Sequence, residues 1–108
     1  MMIKKMILAA GCVALLAGGF ANAANPAAGK EKSKTCAACH GPDGNSAAPD
    51  FPRLAGQHYD YLVKALSDYK AGERKNAIMA PQAANLSKRD IEDLAAYFSQ
   101  QQGLVVKY

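Results

Sequence analysis

The sequence predicts an all-α chain, and three observations carry that prediction. Two stretches place apolar residues at helical spacing: Tyr59, Leu62, Leu66 and Tyr69 at intervals of three and four, and Ile91, Leu94, Ala95 and Phe98 as an i, i+3, i+4, i+7 stripe. No alternating run of strand length appears before Leu104-Val105-Val106, which is too short to pair alone. Between the helical stretches, Gly41, Pro42, Gly44, Pro49, Pro52 and Gly56 are dense enough to forbid regular structure. No internal repeat is present. The chain has no Trp and few large apolar side chains outside the two stripes, so the expected core is small, a composition that fits either a core completed by a cofactor or a marginal domain.

Residues 1–23 read as a secretory leader. Lys4 and Lys5 supply the positive start, Met6 to Phe20 is uncharged and apolar, and Ala21-Asn22-Ala23 places small residues where a signal peptidase cuts. A retained membrane anchor needs roughly 18 apolar residues; this run is shorter and is broken by Gly11, Gly18 and Gly19. Lipoprotein processing at Cys12 would leave the apolar Val13 to Phe20 on the mature chain. Removal of the leader leaves 24–108 as one domain. The formal charge of +4 then falls to about +2 with the loss of Lys4 and Lys5, which removes the main support for nucleic acid as a partner. Cys12 departs as well, and Cys36 and Cys39 remain.

Asn25-Pro26 pairs an N-cap residue with a proline suited to the first helical position. A short helix is expected from about Pro26 to His40, with a thin packing face because Lys30-Glu31-Lys32-Ser33-Lys34 is almost wholly polar. A loop follows to Gly56, of a length that in so small a domain has a function or is disordered. The next helix is expected over 57–71, with Gly72 as its stop. Glu73 to Leu86, containing Met79-Ala80-Pro81, reads as a second loop. Ser87-Lys88-Arg89-Asp90 reads as a capping box for a last helix that Gly103 ends.

Chemistry concentrates at Cys36-Ala37-Ala38-Cys39-His40. On a helical turn the three reactive side chains leave from one face, so two sulfurs can add to the vinyl groups of one haem while the imidazole reaches its iron. C-x-x-C-H is the signature of c-type haem attachment. An exported dithiol would otherwise become a disulfide. A thioredoxin-like reading needs alternating strands and helices, which are lacking, and a structural zinc needs four ligands, whereas His58 is the only further Cys or His after the leader. A porphyrin would also supply the apolar mass that so small a domain needs.

The sixth position of such an iron has few suitors. Met79 is the single methionine after the leader, and its neighbours Asn76, Ala77, Ala80 and Pro81 do not form an apolar stripe. Ligation is therefore preferred to gap-filling in a core. His58 is the alternative, read as a solvated or locally bonded histidine, and a lysine would have to lose its proton. A thioether opposite an imidazole favours the reduced iron and raises the potential, while two filled axial positions exclude small molecules.

The blocks Cys36 to Ser46, Phe51-Pro52-Arg53-Leu54-Ala55-Gly56-Gln57, Tyr61-Leu62, Ala71-Gly72-Glu73-Arg74, Met79 and Leu86 to Phe98 together resemble a bacterial class I cytochrome c. The likeness is to one half of the dihaem cytochromes c4, or to the monohaem cytochromes c553 and c5, over roughly residues 29 to 101. The resemblance implies a class I cytochrome c fold of about three main helices and two loops wrapped around one haem c. It implies thioethers at Cys36 and Cys39, His40 and Met79 as the axial metal ligands, and the Pro52 carbonyl accepting from the His40 ring. It further implies Leu54 packed on the porphyrin, Gly29 giving close passage beside Tyr97, and Gln57, Tyr61 and Arg74 near the propionates. Two departures stand out: there is one haem segment where cytochrome c4 has two, and Lys32-Ser33-Lys34 stands where members carry apolar residues. The second departure predicts weak docking of the first helix.

The implied function is a periplasmic one-electron carrier in a respiratory chain, not an enzyme. Its partners would be a quinol-oxidising complex and a terminal oxidase or soluble reductase, with membrane contact only through partner complexes, as a monomer or weak dimer. Lys30, Lys32, Lys34, Lys64, Lys70, Arg74 and Lys75 are the expected steering charges. The rivals are the subunit through which electrons enter a larger oxidoreductase, and a haem enzyme or gas sensor with an open sixth position.

Overall fold

A computed structural model describes residues 23–103. The residues before Ala23, which carry nearly all of the expected leader and Cys12, and the run Leu104-Val105-Val106 lie outside them. The described residues form five helices: α1 Pro26–Lys32, α2 Lys34–His40, α3 Tyr59–Ala71, α4 Met79–Ala84 and α5 Lys88–Ser99. No strand occurs among them, and none of these helices is long and apolar enough to cross a membrane.

The expected first helix is two helices. Asn25 caps α1, its side-chain oxygen accepting from Ala27 N and Ala28 N at 2.9 and 3.2 Å, with Pro26 in the first turn. The break falls at Ser33, which is buried and whose hydroxyl bonds back to the Lys30 carbonyl at 2.7 Å. That bond competes with continuation of the helix and lets α2 turn toward the cleft.

Docking of the first segment is tight, contrary to the expectation from its polar middle. A Cβ at Gly29 would lie 2.0 Å from the Asp93 carbonyl oxygen and 2.8 Å from Tyr97 Cβ, so α1 and α5 touch backbone to backbone, where only glycine fits. Lys32 is part of this joint rather than a free surface charge. Its ammonium bonds Asp93 at 2.7 Å and Asp90 at 2.9 Å. Asp93 is 2% exposed and also accepts from Asn25 N–H at 2.8 Å, with Arg89 at 3.4 Å. The polar run reads as a poor packing face only because its acidic partners lie some sixty residues downstream.

Burial alone would push the Asp93 carboxyl up. The bonds from Lys32 and Asn25 N–H, with the charges of Lys32 and Arg89, hold it below the ordinary value of 3.8. Asp90 is lowered by the Ser87 N–H and by Lys32. A carboxyl whose folded pKa lies below its unfolded one contributes stability above the unfolded value and loses it as pH falls through the folded one. The free energy of unfolding should therefore decline below about pH 4, and Asp93→Asn should flatten that decline in denaturant titrations at graded pH.

The core is the contact of α3 with α5: Leu62, Leu94, Ala95, Tyr97 and Phe98 are buried together, with Leu54, Val63, Leu66, Leu86 and Cys36 packed around them. Both expected stripes supply it. The capping box forms as read, Ser87 Oγ accepting from Asp90 N at 3.0 Å and Asp90 from Ser87 N at 2.9 Å. The last helix ends at Ser99, ahead of Gly103. That glycine instead lies against the loop, where a Cβ would stand 2.1 Å from the Asn45 side-chain oxygen. Glu73 to Leu86 is not all loop, because it contains α4. Pro81 is compatible with α4 because it sits in the first turn, where N–H groups have no intrahelical partner.

Candidate functional site

Between α2, α3, α4 and the 41–56 loop lies an apolar cleft in two lobes, both open to solvent. Cys36, His40, Pro52, Leu66, Tyr69 and Met79 border both lobes. Leu54, Leu62, Leu94, Ala95 and Phe98 wall one, and Cys39, Phe51, Ile78 and Leu86 the other. The small core and the cleft are thus one construction, with the inner faces of α3 and α5 forming its floor.

Helix α2 carries Cys36, Cys39 and His40 on a single turn and stops at Gly41, whose N–H bonds the Ala37 carbonyl. Both cysteines are free thiols. Burial pushes the Cys36 thiol above its ordinary value of 9.0, as an apolar wall should. His40 is 6% exposed. Its Nδ1 lies 2.8 Å from the Pro52 carbonyl oxygen, which as an acceptor makes Nδ1 the N–H nitrogen and leaves Nε2 as the lone-pair donor. Phe51 meets the ring edge-on, with centroids 6.4 Å apart.

The 41–56 loop is ordered by short bonds rather than by regular structure. Leu54 N and Ala55 N share the Gly44 carbonyl at 2.8 and 3.2 Å, Gly56 N bonds the Phe98 carbonyl at 3.0 Å, and Tyr97 Oη donates to the Pro42 carbonyl at 2.9 Å. Gly44 has φ +86°, and a Cβ there would meet Ala55 N and Phe98 Cδ1, both at 2.8 Å. These bonds hold the loop on α5 and keep Pro52 and Leu54 at the cleft.

Met79 opens α4 at the border of both lobes, whereas His58 precedes α3 and lines neither. Gln57, Tyr61 and Arg74 gather at one lobe, Arg74 donating to Tyr61 Oη at 3.1 Å and stacking 4.9 Å over the Tyr69 ring. Several expected steering charges are engaged locally: Lys34 with Glu31 at 3.0 Å, Lys64 with Asp68 at 2.8 Å, and Lys70 with the Leu86 carbonyl. Phe51, Leu66 and Asn76 also line the cleft, although the sequence gives them no expected role at the site. For Leu66 the spacing gives a buried face but not what that face meets.

These residues fit a covalently held haem. The cleft offers two free thiols on one helical turn, an imidazole with one nitrogen already engaged, a thioether and otherwise apolar walls. Among the described residues no group of three or more His, Cys, Asp or Glu side chains could hold a bare metal ion.

Comparison with known proteins agrees. The family model for cytochrome c matches residues 26–102. The chain is 50% identical over 97 residues to a cytochrome c4 of Azotobacter vinelandii, covering 81% of this chain and 46% of that protein. It is 47% identical over 83 residues to cytochrome c-554(548) of Halomonas halodenitrificans, covering 74% of this chain and all of that protein. The crystal structure of reduced recombinant cytochrome c4 from Pseudomonas stutzeri superposes with a TM-score of 0.72 at 49% identity, over 77% of this chain and 48% of that one. The chain therefore spans about half the length of the cytochromes c4 it matches. The all-α fold, the cleft and a match running from the start of α1 to beyond α5 place the chain in the cytochrome c family, whose haem c is covalently attached and whose CxxCH positions are held here by Cys36, Cys39 and His40.

Proposed function

We propose that this chain is an exported one-electron carrier of the periplasm, with one haem c joined through Cys36 and Cys39 and held axially by His40 and Met79. The observation that supports it most directly is that His40 and Met79, from separate helices, border the same apolar cleft while the Pro52 carbonyl fixes the His40 ring at 2.8 Å. When bound, the haem supplies a single reversible electron. The Pro52 carbonyl keeps the imidazole in the tautomer that presents Nε2 and raises its basicity. Leu54, Leu62, Leu66 and Phe98 exclude water, which favours the less charged, reduced centre. Gln57, Tyr61 and Arg74, which line one lobe of the cleft, are the donors proposed for the carboxylates of the cofactor.

The proposal extends to partners: a quinol-oxidising complex on one side and a terminal oxidase or soluble reductase on the other, met briefly. With both axial positions filled, the chain acts as a carrier and not as an enzyme. Optical spectra of the purified, haem-loaded protein in both redox states test this. A low-spin spectrum, a near-infrared band from Met-to-ferric-iron charge transfer and no carbon monoxide uptake by the reduced form are expected. A high-spin, five-coordinate spectrum with rapid carbon monoxide binding would instead make it a haem enzyme or sensor. A stoichiometric oxidoreductase co-purifying at physiological salt would make it a subunit that admits electrons to a larger machine.

A further inference from the structure

The segment that delivers Met79 is held to α3 by the Arg74 side chain, on Tyr61 and Tyr69, and beyond Arg74 by backbone and side-chain-to-backbone bonds. From Ala71 to Ile78 every side chain is exposed, Ile78 at 58%, and the nearest buried side chain beyond Met79 is Ala83. Upstream, the chain is tied to α3 as far as Arg74, where Glu73 N and Arg74 N bond the Asp68 carbonyl at 2.9 and 3.1 Å. Past that point, Asn76 organises the turn. Its side-chain oxygen accepts from Ile78 N at 2.9 Å and Met79 N at 3.0 Å, and its carbonyl accepts from Ala80 N at 3.0 Å.

We propose that Asn76 is a positioning residue for Met79: its side-chain oxygen closes the turn that leads into α4 and so fixes how firmly the thioether is presented to the cleft. The proposal rests on Met79 as an axial ligand. An Asn side chain that accepts from the N–H groups two and three residues ahead makes the bonds an N-cap Asn makes, and here they close the turn that leads into α4, whose own cap residue Ile78 has no side-chain acceptor. Helix α4 is only six residues long, too short to hold itself by propagation, so these bonds and the packing of Ala83 decide whether its first turn exists. Loss of a cap typically shifts such a local equilibrium about fivefold. Because no buried side chain of 71–78 resists, the shift falls on the backbone of Met79.

The test compares Asn76→Ala, Asn76→Asp and Met79→Ala in the haem-loaded protein, reading the near-infrared Met-to-iron band, carbon monoxide uptake by the reduced form, and amide hydrogen exchange at Ile78 and Met79. Asn76→Ala should speed exchange at those two amides about fivefold, weaken the band and raise the carbon monoxide-accessible fraction by a similar factor. Asn76→Asp keeps an acceptor oxygen in place and should restore all three. The exchange readout reports the Asn76 bonds themselves, whose loss a general fall in stability would not confine to two amides. An intact band and unchanged exchange in Asn76→Ala, with the band lost in Met79→Ala, overturns the positioning role alone. Failure of Asn76→Asp to restore the band overturns it too. A band that survives Met79→Ala overturns the ligation reading on which the role stands.

Discussion

Met79→Ala is expected to abolish the near-infrared charge-transfer band, convert the reduced protein to a carbon monoxide-binding form and lower the reduction potential. The thioether stabilises ferrous relative to ferric iron, and alanine offers no donor in its place. His58 does not border the cleft, and a lysine would have to give up its proton to ligate. The vacancy should therefore be filled by water or an added ligand. The fold should persist, since Met79 is only partly buried and the centre of the core is the α3–α5 contact. Visible and near-infrared spectra with carbon monoxide titration check the first two outcomes, and potentiometric titration the third. Retention of the band would mean another residue holds the sixth position.

Gly29→Ala is expected to be the most damaging single-methyl change in the described chain. On an exposed helix this substitution gains up to about 1 kcal/mol from helix propensity. Here the new Cβ would lie 2.0 Å from the Asp93 carbonyl oxygen and 2.6 Å from its carbon. Those are backbone atoms of α5 and cannot rotate away, so α1 must lift. Overpacking of this kind costs about 3 kcal/mol, leaving a net loss of about 2 kcal/mol. Lifting α1 would also stretch the Lys32 bonds to Asp90 and Asp93 and disturb α2, which follows after one residue and carries the thiols. Denaturant unfolding of the haem-loaded protein, followed by circular dichroism, should show a lower midpoint. A midpoint equal to that of the unsubstituted chain would mean the helices are not in backbone contact.

Much of the site was legible without coordinates because it is local. Cys36, Cys39 and His40 share one helical turn, and helical spacing alone puts them on one face. The stripes through Leu62 and Leu94 marked the core for the same reason, and Ser87 with Asp90 marked a helix start because a capping box is closed within four residues. Met79 could be singled out by scarcity, as the one thioether after the expected leader. The resemblance to class I cytochromes c then supplied Pro52 and Gly29, whose partners lie too far along the chain for any local pattern to reveal.

What the sequence by itself determined is therefore the helical class, the attachment turn and the short set of possible axial ligands. Tertiary structure decided the rest, because it depends on groups brought together from distant positions. The polar run around Lys32 became a docking face once Asp90 and Asp93 met it. Gly103, which reads as a helix stop, became a contact for Asn45, and a stretch that reads as loop contains α4, whose Ala83 is fully buried. Whether a charge steers a partner or staples two helices is a question of what lies opposite it, and that is fixed only when the chain has folded.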